Sequence, residues 1–261
     1  MTNKPAHLGR TVLVTGGSRG IGAAACRLAA ERGWAVAVNY AKDAAAADAV
    51  VADIVGAGGR ALAVRADVAS DAEVIAMFAA IDRGLPPLAG LVNNAGVVDV
   101  AARVDAISVE RLQRMFAINV FGSFYCAREA IRRMSTAPVP AGSAGGRGGS
   151  IVNISSAAAK LGGAGQYVDY AAAKGAIESF TIGLAKEVAG VGIRVNAVRP
   201  GIIDTDIHAS GGAPDRAQQM APLVPLQRAG TADEVGEAIV WLLSDASSYT
   251  TGSVVEVTGG R

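Results

Sequence analysis

A short apolar strand that runs straight into a glycine-rich turn, and from there into a helix, is the feature that most restricts this chain. Thr11-Val-Leu-Val-Thr15 is β-branched and uninterrupted, as a parallel strand buried on both faces should be. Gly16-Gly17-Ser18-Arg19-Gly20-Ile21-Gly22 follows at once, and a helical pattern covers Ala23 to Arg32. Glycines in that place let backbone approach a pyrophosphate, and the helix N-terminus offers free N–H groups and a positive dipole end. The spacing is Gly-x-x-x-Gly-x-Gly, not the commoner Gly-x-Gly-x-x-Gly, and a tight turn that holds no ligand fits it too.

The same alternation continues to the end of the chain. Further strands are predicted at Ala35–Asn39, Ala61–Arg65, the run Gly90-Leu-Val-Asn93, Ser150–Ile154, Ile193–Val198 and Ser253–Val257. Between them lie helical patterns at Ala44–Val55, about Asp71–Arg83, about Ser108–Arg133, from the Tyr170 region to about Gly190, and after Thr231-Ala-Asp-Glu234, a capping box. The fold class is therefore α/β: a single Rossmann-like doubly wound domain over residues 1–261, with a seven-stranded, mostly parallel sheet and helices on both faces. At 261 residues, 51% hydrophobic and 18% charged, the chain can fill one such core and is not disordered. Residues 135 to 149 read as a flexible surface loop between helix and strand.

Composition excludes several functions. A net charge of +1 with no basic block leaves no nucleic-acid footprint, and no apolar run is long enough to span a bilayer. Cys26 and Cys126 form no motif and read as buried reduced thiols, so a cytoplasmic location is expected. His7 and His208 have no partner at ligand spacing, so no metal site is expected. Trp34 and Trp241 suit core or interface packing.

At the end of the second strand, a fold that prefers NAD usually carries an acid for the ribose 2′-hydroxyl. Here the strand ends Asn39-Tyr40-Ala41-Lys42, with no acid before Asp43, which suits a helix N-cap. Arg19 and Lys42 are placed for a 2′-phosphate, which favours NADP(H) and leaves NAD(H) open. Two alternatives stand: Arg19 as a solvated loop cation, and Asp43 reaching the ribose. Asp67, at the end of the third strand, faces either an adenine amino group or its own turn. Asn93-Asn94-Ala95-Gly96 allows close backbone approach at the fourth strand end.

Chemistry concentrates between residues 153 and 174. The Ser150–Ile154 strand ends in Ser155-Ser156, a glycine loop Leu161-Gly-Gly-Ala-Gly-Gln166 follows, and Tyr170 and Lys174 lie four apart on one helical face. An ammonium about 5 Å from a phenol, at an effective dielectric near 20, favours the phenolate by roughly 3 kcal/mol. That lowers a tyrosine pKa of about 10 by about two units, toward proton exchange near neutral pH. Ser156 is positioned to donate a hydrogen bond to a substrate oxygen, with Ser155 as the lesser candidate. Asn119 falls in mid-helix, where its amide is either solvated or satisfies a local break. Residues 206 to 227, with several glycines and prolines, read as a long loop with a short helix, placed as a substrate lid.

Taken together and in order, these segments resemble the short-chain dehydrogenase/reductase family over nearly the whole chain. Thr15 to Gly22 is similar to its cofactor loop and Asn93 to Gly96 to its strand-four motif; Asn119, Ser156, Tyr170 and Lys174 match its catalytic tetrad, and Pro200-Gly201 with Thr205 its nicotinamide-side segment. The resemblance implies Tyr170 as general acid/base, Ser156 as orienter of the reacting oxygen, Lys174 as tuner of Tyr170 and holder of the nicotinamide ribose, and Asn119 as support for a relay water. It implies cofactor contacts at Gly16, Ser18, Arg19, Gly20, Ile21, Gly22, Asn39, Tyr40, Asp67, Val68, Asn94, Ala95, Gly96, Tyr170, Lys174, Pro200, Gly201, Ile203 and Thr205. Ser156 precedes Tyr170 by fourteen residues, one more than is common in the family, and the glycine loop absorbs the extra residue. Tyr167 sits three residues before Tyr170, where substrate selectivity is expected to be set. The look is nearest to bacterial members labelled glucose 1-dehydrogenase or 3-oxoacyl-carrier-protein reductase. The implied activity is NADP(H)-dependent interconversion of a small-molecule ketone or aldehyde and an alcohol, in a homotetramer or homodimer. The alternatives are an NAD-linked sugar or other alcohol dehydrogenase, or a non-catalytic cofactor-binding regulator.

Overall fold

In the computed structural model, which describes residues 9–137 and 146–261, seven strands form one sheet. They are β1 Thr11–Val14, β2 Ala35–Tyr40, β3 Arg60–Arg65, β4 Leu88–Asn93, β5 Gly149–Ile154, β6 Ile193–Pro200 and β7 Val254–Val257, in the order β3-β2-β1-β4-β5-β6-β7. Every pairing is parallel, so the sheet is fully parallel where a mostly parallel one was expected. His7 and most of the 135–149 loop lie outside the described residues, as does the His208 side chain.

Side chains alternate across each strand, and this divides the core into two layers. Val12 and Val14 pack with Trp34, Val50, Ile54, Val235 and Ile239 on one face. That face is covered by α1 (Gly20–Glu31), α2 (Ala44–Gly56) and a C-terminal helix at Ala232–Leu243. Leu13 points the other way, into a layer with Phe78, Ile81, Cys126, Leu184 and Val188, covered by α3 (Asp71–Gly84) and two later helices. Both cysteines are free and buried, Cys26 in the first layer and Cys126 in the second. Trp34 is 2% exposed and Trp241 39%: the first is core, the second a surface residue.

Local signals set several boundaries as the sequence suggested. Asp43 caps α2, its Oδ1 accepting from the Ala46 amide at 3.0 Å. Thr231 and Glu234 close the capping box. The expected helix from Ser108 to Arg133 is not continuous. It divides into α4 (Val109–Phe116), a π-helical turn at Ala117–Phe121, and α5 (Gly122–Met134). Asn119 is the physical cause: its Nδ2 donates to the Met115 carbonyl at 3.0 Å, competing with the backbone ladder for that acceptor.

The topology locates the ligand crevice. The chain winds outward from β1 through β2 to β3, then returns to β4 on the other side of β1. The loops after β1 and β4 therefore part at the C-terminal edge of the sheet, the switch point where such sheets bind ligands. α6 (Ala158–Leu161), α8 (Ile207–Ser210) and α9 (Arg216–Met220) bring residues to that edge, while α7 (Val168–Val188) and α10 (Ala232–Leu243) pack against the two faces of the sheet.

Candidate active site

The two loops at the switch point are tied to each other. Thr15 Oγ1 accepts from the amides of Asn94 and Ala95, both at 3.0 Å. Asn94 Nδ2 donates to the carbonyls of Thr15 and Gly16 at 2.9 and 3.0 Å. Asn39 Oδ1 accepts from the Gly16 amide at 3.2 Å, and its Nδ2 donates to the Val64 and Ala66 carbonyls. Asn39 is fully buried, so it braces the loop from beneath and does not face the crevice as expected; its position under Gly16 is a tertiary matter that strand pattern does not reveal. Tyr40 is likewise partly buried against the core.

The loop itself has the shape of a phosphate cradle. Gly16 and Gly20 have φ of +60° and +52°, a region where a side chain is strained. A Cβ on Gly22 would collide with the Gly16 carbonyl oxygen and lie 2.5 Å from Asn94 Nδ2. The first turn of α1 contains no acid, so nothing opposes the positive end of its dipole. Residues and backbone here fit a dinucleotide pyrophosphate. Ser18 is half-buried in the loop, and Arg19 is exposed at the N-cap with no side-chain hydrogen bond to the cap. Asp67 is exposed, and its Oδ1 accepts from the Ala69 amide at 2.9 Å, the turn alternative. Val68 is buried against α5, where Gly122 leaves room for it.

A cleft of about 330 Å³ opens beside the cradle. Ile21, Asn94, Gly96, Ser156, Tyr170, Lys174, Pro200, Gly201, Ile203 and Thr205 all line it, so chemistry from β4, β5, α7 and β6 meets in one place. Asn119 stands behind this wall. It is 1% exposed, and its amide is bound to the Val97 carbonyl and, through Oδ1, the Val97 amide. A Cβ on Gly96 would lie 2.6 Å from Asn119 Oδ1 and 3.5 Å from Lys174 Nζ, so Asn119 holds the segment after β4 against Lys174.

The electrostatics differ from expectation. Burial pushes the Tyr170 hydroxyl up to about 12, against a smaller lowering by its hydrogen bond with Ser156. Burial pushes the Lys174 ammonium down to about 8. Lys174 Nζ donates to the Ile154 carbonyl at 2.7 Å and lies 5.6 Å from the Tyr170 ring centre. The Tyr170 shift runs opposite to the expected lowering by Lys174: desolvation is the largest cause for each group and disfavours both charged forms. Tyr167 meets Tyr170 edge to face at 6.0 Å.

Two buried ion pairs fix the ends of this wall. Arg199, at the end of β6, holds Glu178 through Nε and Nη2 at 2.7 and 2.6 Å. Glu178 Oε1 also accepts from Ser155 Oγ at 2.6 Å, so Ser155 is a structural neighbour and Ser156 is the hydroxyl at Tyr170. Arg111 grips Asp169 at 2.7 and 3.1 Å and donates to the Val100 carbonyl at 2.6 Å, tying α7 to the segment after β4. Desolvation works against the Asp169 carboxylate, and the hydrogen bonds of Arg111 win, holding it below the usual range.

The lid region forms α8, α9 and a 3₁₀ turn at Ala221–Leu223, more helix than the glycines and prolines suggested. Ile207, Ala213, Arg216 and Met220 from it line the cleft, as do Val98, Asp99, Leu161, Tyr167 and Arg261. Of these, sequence reasoning singled out Tyr167, and took Ile207, Ala213, Arg216 and Met220 together as part of a lid and Leu161 as part of the glycine loop. No local pattern marks Val98, Asp99 or Arg261, which reach the cleft through tertiary folding.

A family model described as enoyl-(acyl carrier protein) reductase matches residues 16–261. The chain is 51% identical over 249 residues to the uncharacterized oxidoreductase YgfF of Escherichia coli, covering 95% of this chain and 98% of that protein. It is 37% identical over 252 residues to a 3-oxoacyl-[acyl-carrier-protein] reductase of Synechocystis, covering 96% of each. A short-chain dehydrogenase of Burkholderia cenocepacia, solved in complex with NADP, superposes with a TM-score of 0.87 at 32% identity over 99% of both chains.

Proposed function

The chain belongs to the short-chain dehydrogenase/reductase family and is an oxidoreductase, and on that premise we propose an NADP(H)-dependent enzyme that interconverts a ketone or aldehyde and its alcohol. The observation that carries the reading is that Ser156, Tyr170 and Lys174 line one cleft beside a glycine cradle. The pyrophosphate would rest on the backbone from Gly16 to Gly22, the adenine beside Asp67 and Val68, and the nicotinamide half against Ile21, Asn94 to Gly96, Pro200-Gly201, Ile203 and Thr205. Bound there, the nicotinamide supplies a hydride to the substrate carbon or accepts one from it. Tyr170 Oη gives the proton to the substrate oxygen in reduction and takes it in oxidation, while the Ser156 hydroxyl orients that oxygen. Lys174 holds the ribose, and Asn119 keeps Lys174 and the Val97 segment in register.

Two observations favour NADP(H) over NAD(H). Asp43, the nearest acid after β2, has its carboxylate engaged in capping α2, and Arg19 and Lys42 are both exposed without an ion pair among the described residues. Fluorescence titration should give at least a tenfold preference for NADPH over NADH, about 1.4 kcal/mol, and the double substitution R19A/K42A should erase it. Equal or tighter NADH binding in the parent protein would return the cofactor assignment to NAD.

We place the enzyme in the cytoplasm, where its two free thiols stay reduced; no helix among the described residues is long and apolar enough to cross a membrane. We also propose a homotetramer built on the helices that carry Asn119 and Tyr170. Phe121, Phe124 and Ile182 there are between 44% and 49% exposed, more apolar surface than an isolated helix pair leaves to water. Light scattering at micromolar concentration should give four times the chain mass, and a monomer would contradict the assignment.

A further inference from the structure

We propose that the cleft takes a substrate bearing a carboxylate, and that Arg261, with Arg216, binds that group. The proposal deepens the oxidoreductase reading of this cleft and rests on it. Arg261 lines the cleft, yet its Nη1 is shut off from solvent with no hydrogen-bond partner among the described residues. An arginine N–H removed from water without an acceptor is costly, and native proteins seldom leave one so.

Arg216 approaches the same space from α9. Its Nη2 donates to Tyr167 Oη at 2.5 Å and to Gln166 Oε1 at 2.9 Å, and its guanidinium carbon sits 5.2 Å from the centre of the Tyr167 ring. These partners are neutral, so they position the guanidinium without cancelling its charge. Asp99 is the single carboxylate side chain on the cleft wall. It is paired with Arg114 and accepts from the Val100 amide, so it is already matched. Arg216 and Arg261 thus both line a largely apolar cleft, and among the described residues neither is paired with a carboxylate side chain.

A guanidinium fork fits a carboxylate through two parallel hydrogen bonds. Cofactor phosphates have their own places at the α1 cradle, Arg19 and Lys42. The part of the cleft left beside the nicotinamide, walled by Val98, Leu161, Ile202 and Met220, suits a compact aromatic or aliphatic acid with a reducible carbonyl.

Calorimetric titration with benzoate and with benzamide, each with NADPH present and absent, tests the anion site without turnover. Benzoate should bind at least about tenfold tighter. R261Q should bring that ratio to about one, R261K should retain part of it, and NADPH affinity should hold in both. Equal binding of the two probes, or an R261Q effect on NADPH in place of benzoate, overturns the proposal. Turnover of 4-carboxybenzaldehyde and benzaldehyde is the separate arm. A benzoate preference with neither aldehyde reduced counts against the oxidoreductase reading and leaves the anion site standing. Equal reduction of both aldehydes with no benzoate preference keeps that reading and removes the anion site.

Discussion

Tyr170→Phe should lower kcat for carbonyl reduction by about a thousandfold, the middle of the range for a positioned acid, and leave the NADPH dissociation constant within about twofold. A loss of that size is about 4 kcal/mol of transition-state stabilisation. It removes one oxygen from a ring whose packing against Tyr167 and the cleft wall is otherwise kept. NADPH oxidation followed at 340 nm (the assay wavelength for the reduced nicotinamide) and a fluorescence titration measure the two quantities. An unchanged rate would remove Tyr170 from the mechanism.

The same residue sets a pH dependence with a defined sign. With its hydroxyl pushed up to about 12, Tyr170 is protonated throughout the neutral range, the state that a general acid needs. Reduction should then be flat from about pH 6 to pH 8, above which Lys174 loses its proton. Oxidation of the alcohol needs Tyr170 as a base, and the deprotonated fraction grows about tenfold per pH unit below that value. The oxidative rate should therefore climb as pH rises, and the climb should vanish in Tyr170→Phe.

Features decided by near neighbours in sequence were legible: the β1–glycine–α1 unit, the Asp43 cap and the Thr231–Glu234 capping box each depend on contacts within a few residues. Asn119 was partly legible, since its poor helix propensity marks a conflict, but the Val97 backbone that shares its amide is distant in sequence. The direction of the Tyr170 shift was not legible. Spacing gives the charge partner, whereas desolvation depends on how segments distant in sequence close over the ring. Asn39 was misplaced for the same reason, because a strand-end amide can turn toward ligand or toward Gly16, and only the neighbouring strand decides. Glu178, Arg199, Arg216 and Arg261 carry no motif. The partners of the first three lie at least 20 residues away, and Arg261 Nη1 has none among the described residues.

Gly22→Ala should separate cofactor binding from proton transfer. The new methyl would strike the Gly16 carbonyl oxygen and come within 2.5 Å of Asn94 Nδ2. Neither can step aside cheaply. Gly16 is held at φ +60° by its amide bond to Asn39, and Asn94 Nδ2 bridges the Thr15 and Gly16 carbonyls. Overpacking at such a site costs about 1–3 kcal/mol of stability, readable as a lower urea midpoint at unchanged slope. Strain that opens the loop also misaligns the amides meant for the pyrophosphate, so NADPH affinity should fall at least about a hundredfold, or 2.7 kcal/mol. Turnover at saturating cofactor should fall far less, since Ser156 follows β5 and Tyr170 and Lys174 sit on α7, beyond the disturbed turn. Destabilisation with NADPH affinity intact would mean that this turn is a packing device and that the phosphates bind elsewhere. Affinity loss in Gly22→Ala beside turnover loss in Tyr170→Phe is the pattern that only a cradle and an acid, acting separately in one cleft, produce.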